Sequence, residues 1–237
     1  MTDTAPAVRD RLAIALDVND LATAVRLAKQ VRPHVGVAKV GLELFSTAGA
    51  DAVAAMRDLG MAVFVDVKLH DIPNTVNKAA RVLGKLGARY LTLHASGGED
   101  MLRAGIEGLT EGADAAGLPV PMALAVTILT SDTDAPDDLL RQRVGLAVAA
   151  GCPGVICAVG DLRVIKLHTP NIVAVTPGIH PTGVASHDQA RTATPAIAIA
   201  DGADVLVVGR AISGAPDPAA AAEAIAAEVA TALSVRA

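Results

Sequence analysis

Eight short apolar runs, separated by segments with helical spacing, set the strongest limit on the fold of this 237-residue chain. The runs are rich in Val, Ile and Leu, and such composition is typical of strands that are buried on both faces. They lie at Leu12–Val18, Gly36–Val40, Met61–Val67, Arg89–Leu93, Val120–Leu129, Gly154–Ala158, Asn171–Val175 and Asp204–Val208. Regular alternation of strands and helices predicts one parallel sheet covered by helices.

The segments between these runs have the spacing and the end signals of amphipathic helices. In Asp20–Val31 apolar side chains recur on one face, and Asp137–Ala150 is followed by Gly151, a residue type that commonly ends helices. The last segment opens with Asp217 and Pro218, which are typical of a helix cap and a first turn.

Eight strand and helix units close a parallel barrel, so we predict an α/β fold of the (β/α)8, or TIM-barrel, type. No linker or change of composition divides the chain, which predicts a single domain over residues 1–237. The alternative is a doubly wound open sheet. It is disfavoured because Leu16-Asp17-Val18-Asn19 follows the first run, where a glycine-rich dinucleotide-binding turn would be expected.

Composition and charge disfavour several kinds of partner and location. The net charge is -5 without a cluster of Lys or Arg, and aromatic residues make up 1%, so we expect no nucleic-acid partner. The first residues lack the pattern of a secretory signal, and no apolar run reaches the roughly 18 residues of a membrane span. We therefore expect a cytoplasmic protein with no membrane partner. Cys152 and Cys157 lack the neighbours of a zinc site, and we expect two buried, reduced thiols.

Charged residues concentrate at the ends of the first three predicted strands. Asp17 ends the first strand and Lys39 the second, while the third carries Phe64, Asp66 and Lys68 at alternate positions. Alternation places Asp66 and Lys68 on the same side of the strand, above Phe64. Because neighbouring strands lie about 4.8 Å apart, Lys39 is expected beside this pair. Chemistry in parallel barrels gathers at these strand ends.

A buried array of charges is a poor way to gain stability. An unpaired buried charge costs several kcal/mol, and even a compensated cluster seldom improves on an apolar core. We therefore interpret the array as a functional site, and a structural salt-bridge network at the barrel mouth is the alternative.

The ends of the last two predicted strands indicate a phosphate site. Gly209 and Arg210 follow the eighth strand, and Pro177-Gly178-Ile179-His180 follow the seventh. Barrels often bind phosphate here, where glycine permits close approach and arginine supplies a forked donor. The alternative is an ordinary turn. At the fourth strand end, His94 and Ser96 could form a base and nucleophile, but no strained elbow motif surrounds them, and we interpret them as pocket wall.

The stretch Asp66-Val67-Lys68-Leu69-His70-Asp71-Ile72-Pro73-Asn74-Thr75 resembles the signature of the orotidine 5′-phosphate decarboxylase family almost letter for letter. Other motifs follow in the order of that family, and the resemblance extends from Leu12 to about Pro218. These motifs are Leu16-Asp17, Lys39-Val40-Gly41, His94-Ala95-Ser96-Gly97-Gly98, Val126–Ser131, Thr176–Ile179, Asp188-Gln189 and Val208-Gly209-Arg210. The resemblance implies an enzyme of pyrimidine biosynthesis that converts orotidine 5′-phosphate (OMP) to UMP and CO2 without a cofactor or metal.

The resemblance also implies a role for each residue of the charge array. Lys68 would donate the proton, within an array that Lys39, Asp66 and Asp71 complete. Asp17 and Lys39 would also bind the ribose hydroxyls. The enzyme would be a homodimer with its sites at the interface, so that monomers would be inactive.

Further implied contacts come from the interface and from the loops. Asp71 and Thr75 would reach into the site of the partner subunit, and Thr130 would contact the pyrimidine. The implied phosphate contacts are Gln189, Gly209 and Arg210. Flexible cover is expected from residues 131–136 and 180–188, which carry Gly, Pro, Ser and Asp.

One position departs from the bacterial pattern of the family. That pattern reads Pro-Gly-Ile-Arg, and this chain has His180 at the position of the arginine. A neutral imidazole binds phosphate less well than guanidinium, while a phosphate dianion favours the protonated form. We therefore expect His180 to be an altered ligand contact, with phosphate affinity that falls as the pH rises.

Two other functions remain open. A related barrel uses a similar Asp-x-Lys-x-x-Asp strand end with magnesium to decarboxylate a sugar phosphate, although the His-Asp-Ile-Pro-Asn-Thr continuation favours the nucleotide enzyme. The chain could also be a nucleotide-binding regulator that has lost the chemistry. The presence of both lysines and all three aspartates disfavours that function.

Overall fold

Eight parallel strands close into a barrel in a computed structural model that describes residues 8–132, 136–181 and 193–236. Each strand pairs with its neighbours in the sequence, and the first pairs with the eighth. Strands β1 to β8 are Leu12–Ala15, Val37–Gly41, Ala62–Leu69, Tyr90–His94, Met122–Val126, Gly154–Ile156, Val173–Thr176 and Val205–Val208. Each overlaps one predicted run, so the (β/α)8 barrel is confirmed and the open sheet is wrong. The single domain over residues 1–237 stays a prediction.

Helices surround the barrel, and their ends follow the local signals in the sequence. Helices α1 to α9 are Leu21–Val31, Leu42–Asp58, Pro73–Gly84, Gly98–Ala116, Asp137–Ala150, Leu162–His168, Pro195–Asp201, Arg210–Ser213 and Pro218–Arg236. The carboxylate of Asp20 accepts the backbone N–H of Thr23 at 2.7 Å, and that of Asp217 accepts the N–H of Ala220 at 3.0 Å. Gly151 ends α5 in the left-handed conformation. The predicted caps are therefore confirmed.

The barrel interior is packed from the inward-facing residues of the strands. Ala15, Val126, Ile156 and Val207 belong to a buried cluster that is separate from the larger core between strands and helices. Phe64 lies in the same cluster and packs edge-on against Tyr90, with ring centroids 5.9 Å apart. This packed layer forms an apolar floor beneath the C-terminal mouth of the barrel.

Helix α9 is the one helix of the described residues that is long and apolar enough to cross a membrane, with a mean hydropathy of 1.3 over Pro218–Val235. The prediction that no apolar stretch has this length is therefore wrong. The prediction failed because the many alanines keep the mean hydropathy of the segment high although it contains Glu223 and Glu228. The fully buried residues of the helix are Ala222, Ile225 and Val229. They pack α9 against the other helices of the outer layer.

The two cysteines are free and buried, as predicted. Burial raises the pKa of the thiols of Cys152 and Cys157 to about 12, so neither forms the reactive thiolate near neutral pH. We expect no reaction with DTNB in the native protein at about pH 8, and reaction of both thiols once guanidinium chloride unfolds the chain. Native labelling at the rate of free cysteine would contradict the burial of these side chains.

Candidate active site

A cavity of about 280 Å³ opens at the C-terminal ends of the strands. Its lining includes most of the residues predicted for the site, namely Asp17, Lys39, Asp66, Lys68, Thr130, His180, Gly209 and Arg210. Asp71 and Thr75 are not part of this lining. Gln189 lies outside the described residues, as do residues 133–135 and 182–188 of the predicted loop segments. The predicted strand ends therefore converge on one cavity.

Four charged side chains form a continuous chain of ion pairs on the wall of the cavity. The Nζ of Lys39 lies 3.0 Å from Oδ1 of Asp17 and 3.6 Å from Oδ2 of Asp66. The Nζ of Lys68 lies 2.8 Å from Oδ1 of Asp66. The side chains of Lys39 and Asp66 are only 11% and 12% exposed, whereas that of Lys68 is 31% exposed. Asp66 therefore holds two ammonium groups, one on each oxygen, and Lys68 is the more accessible of the two.

The backbone departs from a regular strand at Lys68. The pairing of β3 with β4 shifts register between Val65 and Leu69, and Lys68 has a φ of 48°. Among the described residues it is the only non-glycine residue with a positive φ. This conformation costs roughly 1–2 kcal/mol in an L-residue and persists only where the surroundings enforce it. The prediction that Asp66 and Lys68 lie on the same side is confirmed, because both line the cavity, although the backbone at Lys68 is not that of a regular strand.

Thr92 is a buried member of the site that the sequence interpretation missed. It lies on β4 with no exposed surface, and its hydroxyl donates to Oδ1 of Asp66 at 3.1 Å. The same hydroxyl accepts the backbone N–H of Lys68 at 2.9 Å. The available signal was a polar residue at an inward position of an apolar strand, two residues after Tyr90, which also faces the interior.

A single chain does not bring the second half of the signature into the cavity. Asp71 and Thr75 are exposed, and Oδ1 of Asp71 accepts the backbone N–H of Ile72 at 2.7 Å. Ile72 is itself 65% exposed. The Asp71 carboxylate therefore does not join the ion pairs around Asp66 within one subunit.

A sequence model described as the orotidine 5′-phosphate decarboxylase / HUMPS family matches residues 10–225. The chain belongs to this family.

Similar proteins cover nearly the whole chain. It is 45% identical to the orotidine 5′-phosphate decarboxylase of Moorella thermoacetica, over 93% of this chain and 92% of that protein. It is also 45% identical to the enzyme of that name from Anaeromyxobacter sp. (strain K), over 92% and 97%. The crystal structure of orotidine 5′-phosphate decarboxylase from Lactobacillus acidophilus is 38% identical and has a TM-score of 0.77, over 93% of this chain and 99% of that one. Membership of the orotidine 5′-phosphate decarboxylase / HUMPS family, predicted from the motifs, is confirmed.

The family motif around His94 lies beside the cavity and does not line it. The Oγ of Ser96 is 2.6 Å from Nδ1 of His94, and the backbone N–H of Ser96 donates to the same nitrogen at 3.3 Å. The imidazole of His70 stacks on that of His94, with centroids 5.3 Å apart. Burial lowers the pKa of His94, and the neighbouring His70, Arg143 and Lys68 lower it further. His94 is therefore a neutral hydrogen-bond acceptor. The interpretation of this motif as pocket wall is wrong for a single chain, because its residues do not line the cavity.

The segment after β5, which carries Thr130, is tied to the barrel by hydrogen bonds of Thr127. The hydroxyl of Thr127 donates to the carbonyl of Ile156 at 2.9 Å. The guanidinium of Arg143, on α5, donates to the carbonyl of Thr127 at 2.5 Å. Sequence alone did not indicate Arg143, because nothing local marks which helical arginine reaches a strand end.

Proposed function

We propose that this protein is an orotidine 5′-phosphate decarboxylase that converts OMP to UMP and CO2 in pyrimidine biosynthesis. The observation that carries the proposal is the chain of ion pairs from Asp17 through Lys39 and Asp66 to Lys68, on the wall of a cavity at the barrel mouth. Relatives that carry this enzyme name align over more than nine tenths of both chains, which supports it.

The arrangement of Lys68 and Asp66 suits a decarboxylation that leaves negative charge on one carbon. When the bond from C6 to the carboxylate breaks, its electron pair stays on C6, CO2 departs, and no adjacent carbonyl delocalises the charge. The ammonium group of Lys68, 2.8 Å from Oδ1 of Asp66, stabilises the carbanion and then transfers a proton from Nζ to C6. Water reprotonates the amine. Opposite unit charges about 4 Å apart interact by roughly 4 kcal/mol at an effective dielectric of about 20, so a preorganised cation lowers the barrier substantially.

Asp66 acts on the bound substrate before the reaction, by raising the free energy of the enzyme–substrate complex. Both of its oxygens are fixed by ammonium groups, and its side chain is 12% exposed. In this proposal the carboxylate of the substrate binds beside Asp66, and repulsion between the two anions is relieved as CO2 leaves. The hydrogen bonds from Thr92 and Lys68 prevent Asp66 from swinging away from that repulsion.

Other residues that the motifs indicate bind the rest of the nucleotide. Asp17 and Lys39 bind the ribose hydroxyls, and Thr130 contacts the pyrimidine. The phosphate contacts are Gly209, Arg210, Gln189 and, in place of the arginine in the family pattern, His180. The phosphate is remote from the breaking bond, so its binding free energy helps only if it closes loops over the charged site.

The active form is proposed to be a cytoplasmic homodimer. Asp71 and Thr75 are exposed and lie outside the cavity of their own subunit, and the exposed Ile72 lies between them. A second subunit that covers this surface would bury Ile72 and bring Asp71 of each chain to the other site. This arrangement completes the charge array with a third carboxylate.

A magnesium-dependent sugar-phosphate decarboxylase is the second candidate, since the family description carries two names. The contacts of Asp66 favour the nucleotide enzyme, because ammonium groups engage both of its oxygens. Two cations beside that carboxylate would also repel a metal ion. A nucleotide-binding regulator is the third candidate, from outside the enzymes.

One assay separates the three candidates. Purified protein is treated with EDTA, mixed with OMP, and followed by the absorbance change of the pyrimidine, with UMP identified by chromatography. We expect UMP to form at the same rate with and without chelator. Activity that EDTA abolishes and magnesium restores would favour the metal-dependent enzyme, and binding of UMP without turnover of OMP would favour the regulator.

Gly41 has no side chain, and the ion pair between Asp17 and Lys39 occupies the space where a side chain would lie. A Cβ at this position would lie 2.8 Å from Oδ1 of Asp17 and 2.9 Å from Nζ of Lys39. We expect Gly41→Ala to separate the pair and to weaken UMP binding about tenfold, which calorimetry would measure. Gly145→Ala is the matched control, because a Cβ there meets nothing within 4 Å. Equal UMP affinity in the two variants would contradict a role of this pair in binding.

A further inference from the structure

The backbone of Lys68 has a positive φ and is stabilised by a contact from the neighbouring strand. An L-residue with positive φ is disfavoured, and the register shift between Val65 and Leu69 removes regular pairing with β4 at this point. The backbone N–H of Lys68 donates instead to a side chain, the hydroxyl of Thr92 on β4. The left-handed backbone is therefore fixed from outside its own strand.

We infer that Thr92 is a positioning residue for decarboxylation, whose hydroxyl locks the backbone of Lys68 and the carboxylate of Asp66 into one hydrogen-bonded ring. The inference rests on the proposed function, because it assigns to Lys68 the transfer of the proton. Thr92 itself does not line the cavity.

The donor and the acceptor of each hydrogen bond in this ring can be assigned. A hydroxyl has one proton, and because Thr92 accepts from the N–H of Lys68, that proton is free to point at Oδ1 of Asp66, 3.1 Å away. The same Oδ1 accepts from Nζ of Lys68 at 2.8 Å. The ring thus runs from the backbone of Lys68 through Thr92 and Asp66 to the ammonium group of the same lysine.

Because the ring is buried, water cannot easily replace the hydroxyl of Thr92 in it. Thr92 has no exposed surface, and the residue of Asp66 is 8% exposed. Water therefore has little access to replace the hydroxyl if it is removed. Valine has nearly the shape of threonine, so Thr92→Val would preserve packing while it leaves the N–H of Lys68 without this acceptor. Lys68 would then relax from positive φ, and its ammonium group would move relative to the substrate.

The test compares Thr92→Val with Thr92→Ser in the full-length enzyme. We expect kcat for OMP to fall about 30-fold or more in Thr92→Val, with KM within about threefold of wild type, because the loss falls on the transition state. Thr92→Ser keeps the hydroxyl and should restore kcat to within about threefold of wild type. Thr110→Val is the matched control, since its hydroxyl donates to a carbonyl within α4.

Two results would overturn the inference. One is a kcat for Thr92→Val within about threefold of wild type, and the other is a serine variant as slow as the valine variant. Thermal unfolding of all variants separates positioning from stability. If the loss of kcat disappears when the assay is cooled well below the unfolding midpoint of Thr92→Val, the residue is structural only.

A second readout does not depend on turnover. Hydrogen exchange of the Lys68 amide, measured by NMR, should be slow in wild type and in Thr92→Ser and at least about tenfold faster in Thr92→Val. Unchanged exchange in the valine variant would reject the ring. If wild-type protein fails to decarboxylate OMP, the proposed function fails, and this exchange measurement still tests whether Thr92 holds Lys68.

Discussion

Replacing Lys68 with alanine is expected to abolish turnover of OMP while UMP still binds. The change removes both the cation that faces C6 and the source of its proton, so we expect kcat to fall by at least about 10⁴-fold. Binding should persist because the ion pairs of Lys39 with Asp17 and Asp66 remain in place. Single-turnover kinetics with OMP and calorimetry with UMP measure the two effects separately.

Lys29→Ala provides the control for the loss of a lysine. Lys29 is exposed on α1 and does not line the cavity. This variant should match wild type in kcat and in UMP affinity. Lys68→Ala with more than a tenth of wild-type kcat would reject the role proposed for Lys68.

Mixing two inactive variants is expected to restore activity if the site is shared between subunits. In a hybrid of Lys68→Ala and Asp71→Ala chains, one site carries both changes and the other carries neither. Random exchange at equal concentrations makes half of the dimers hybrids, so about a quarter of wild-type activity should return. The measurement is OMP turnover after the variants are unfolded together and refolded, with native mass spectrometry to count hybrids.

The matched control for this experiment uses two changes on the same side of the interface. Lys68→Ala mixed with Lys39→Ala gives hybrids in which each site carries one change, because both lysines belong to the same subunit cavity. No activity should return in that mixture. Absence of recovery with Asp71→Ala, while hybrids are present, would show that Asp71 does not act across an interface. A protein that sediments as a monomer and is active would show the same.

Local signals in the sequence were enough to predict the barrel architecture. Strands buried on both faces require continuous apolar runs, and helix ends require caps such as Asp20 and Gly151, so each element is encoded within a few neighbouring residues. Strand ends in a parallel barrel share one face, and this topological rule predicts that Lys39 lies beside Asp66 and Lys68. The motif similarity then indicated the family.

Several features of the site depend on contacts between distant parts of the chain. The positive φ of Lys68 occurs where the register of β3 against β4 shifts, and no residue type at that position signals it. The part played by Thr92 appears only when β4 brings its hydroxyl to Asp66, 26 positions away in the sequence. Arg143 likewise reaches Thr127 only through the packing of α5 on the barrel.

The sequence by itself determined the barrel, the strand ends that carry charge, and the family, because periodicity, caps and motifs are properties of short segments. Only the tertiary structure decided which oxygen of Asp66 lies beside each lysine, the backbone conformation of Lys68, and the hydrogen bonds of Thr92. These depend on strand register and on packing across the barrel, where a shift of one residue reverses the direction of a side chain. Such packing is fixed by many contacts at once and by no single segment.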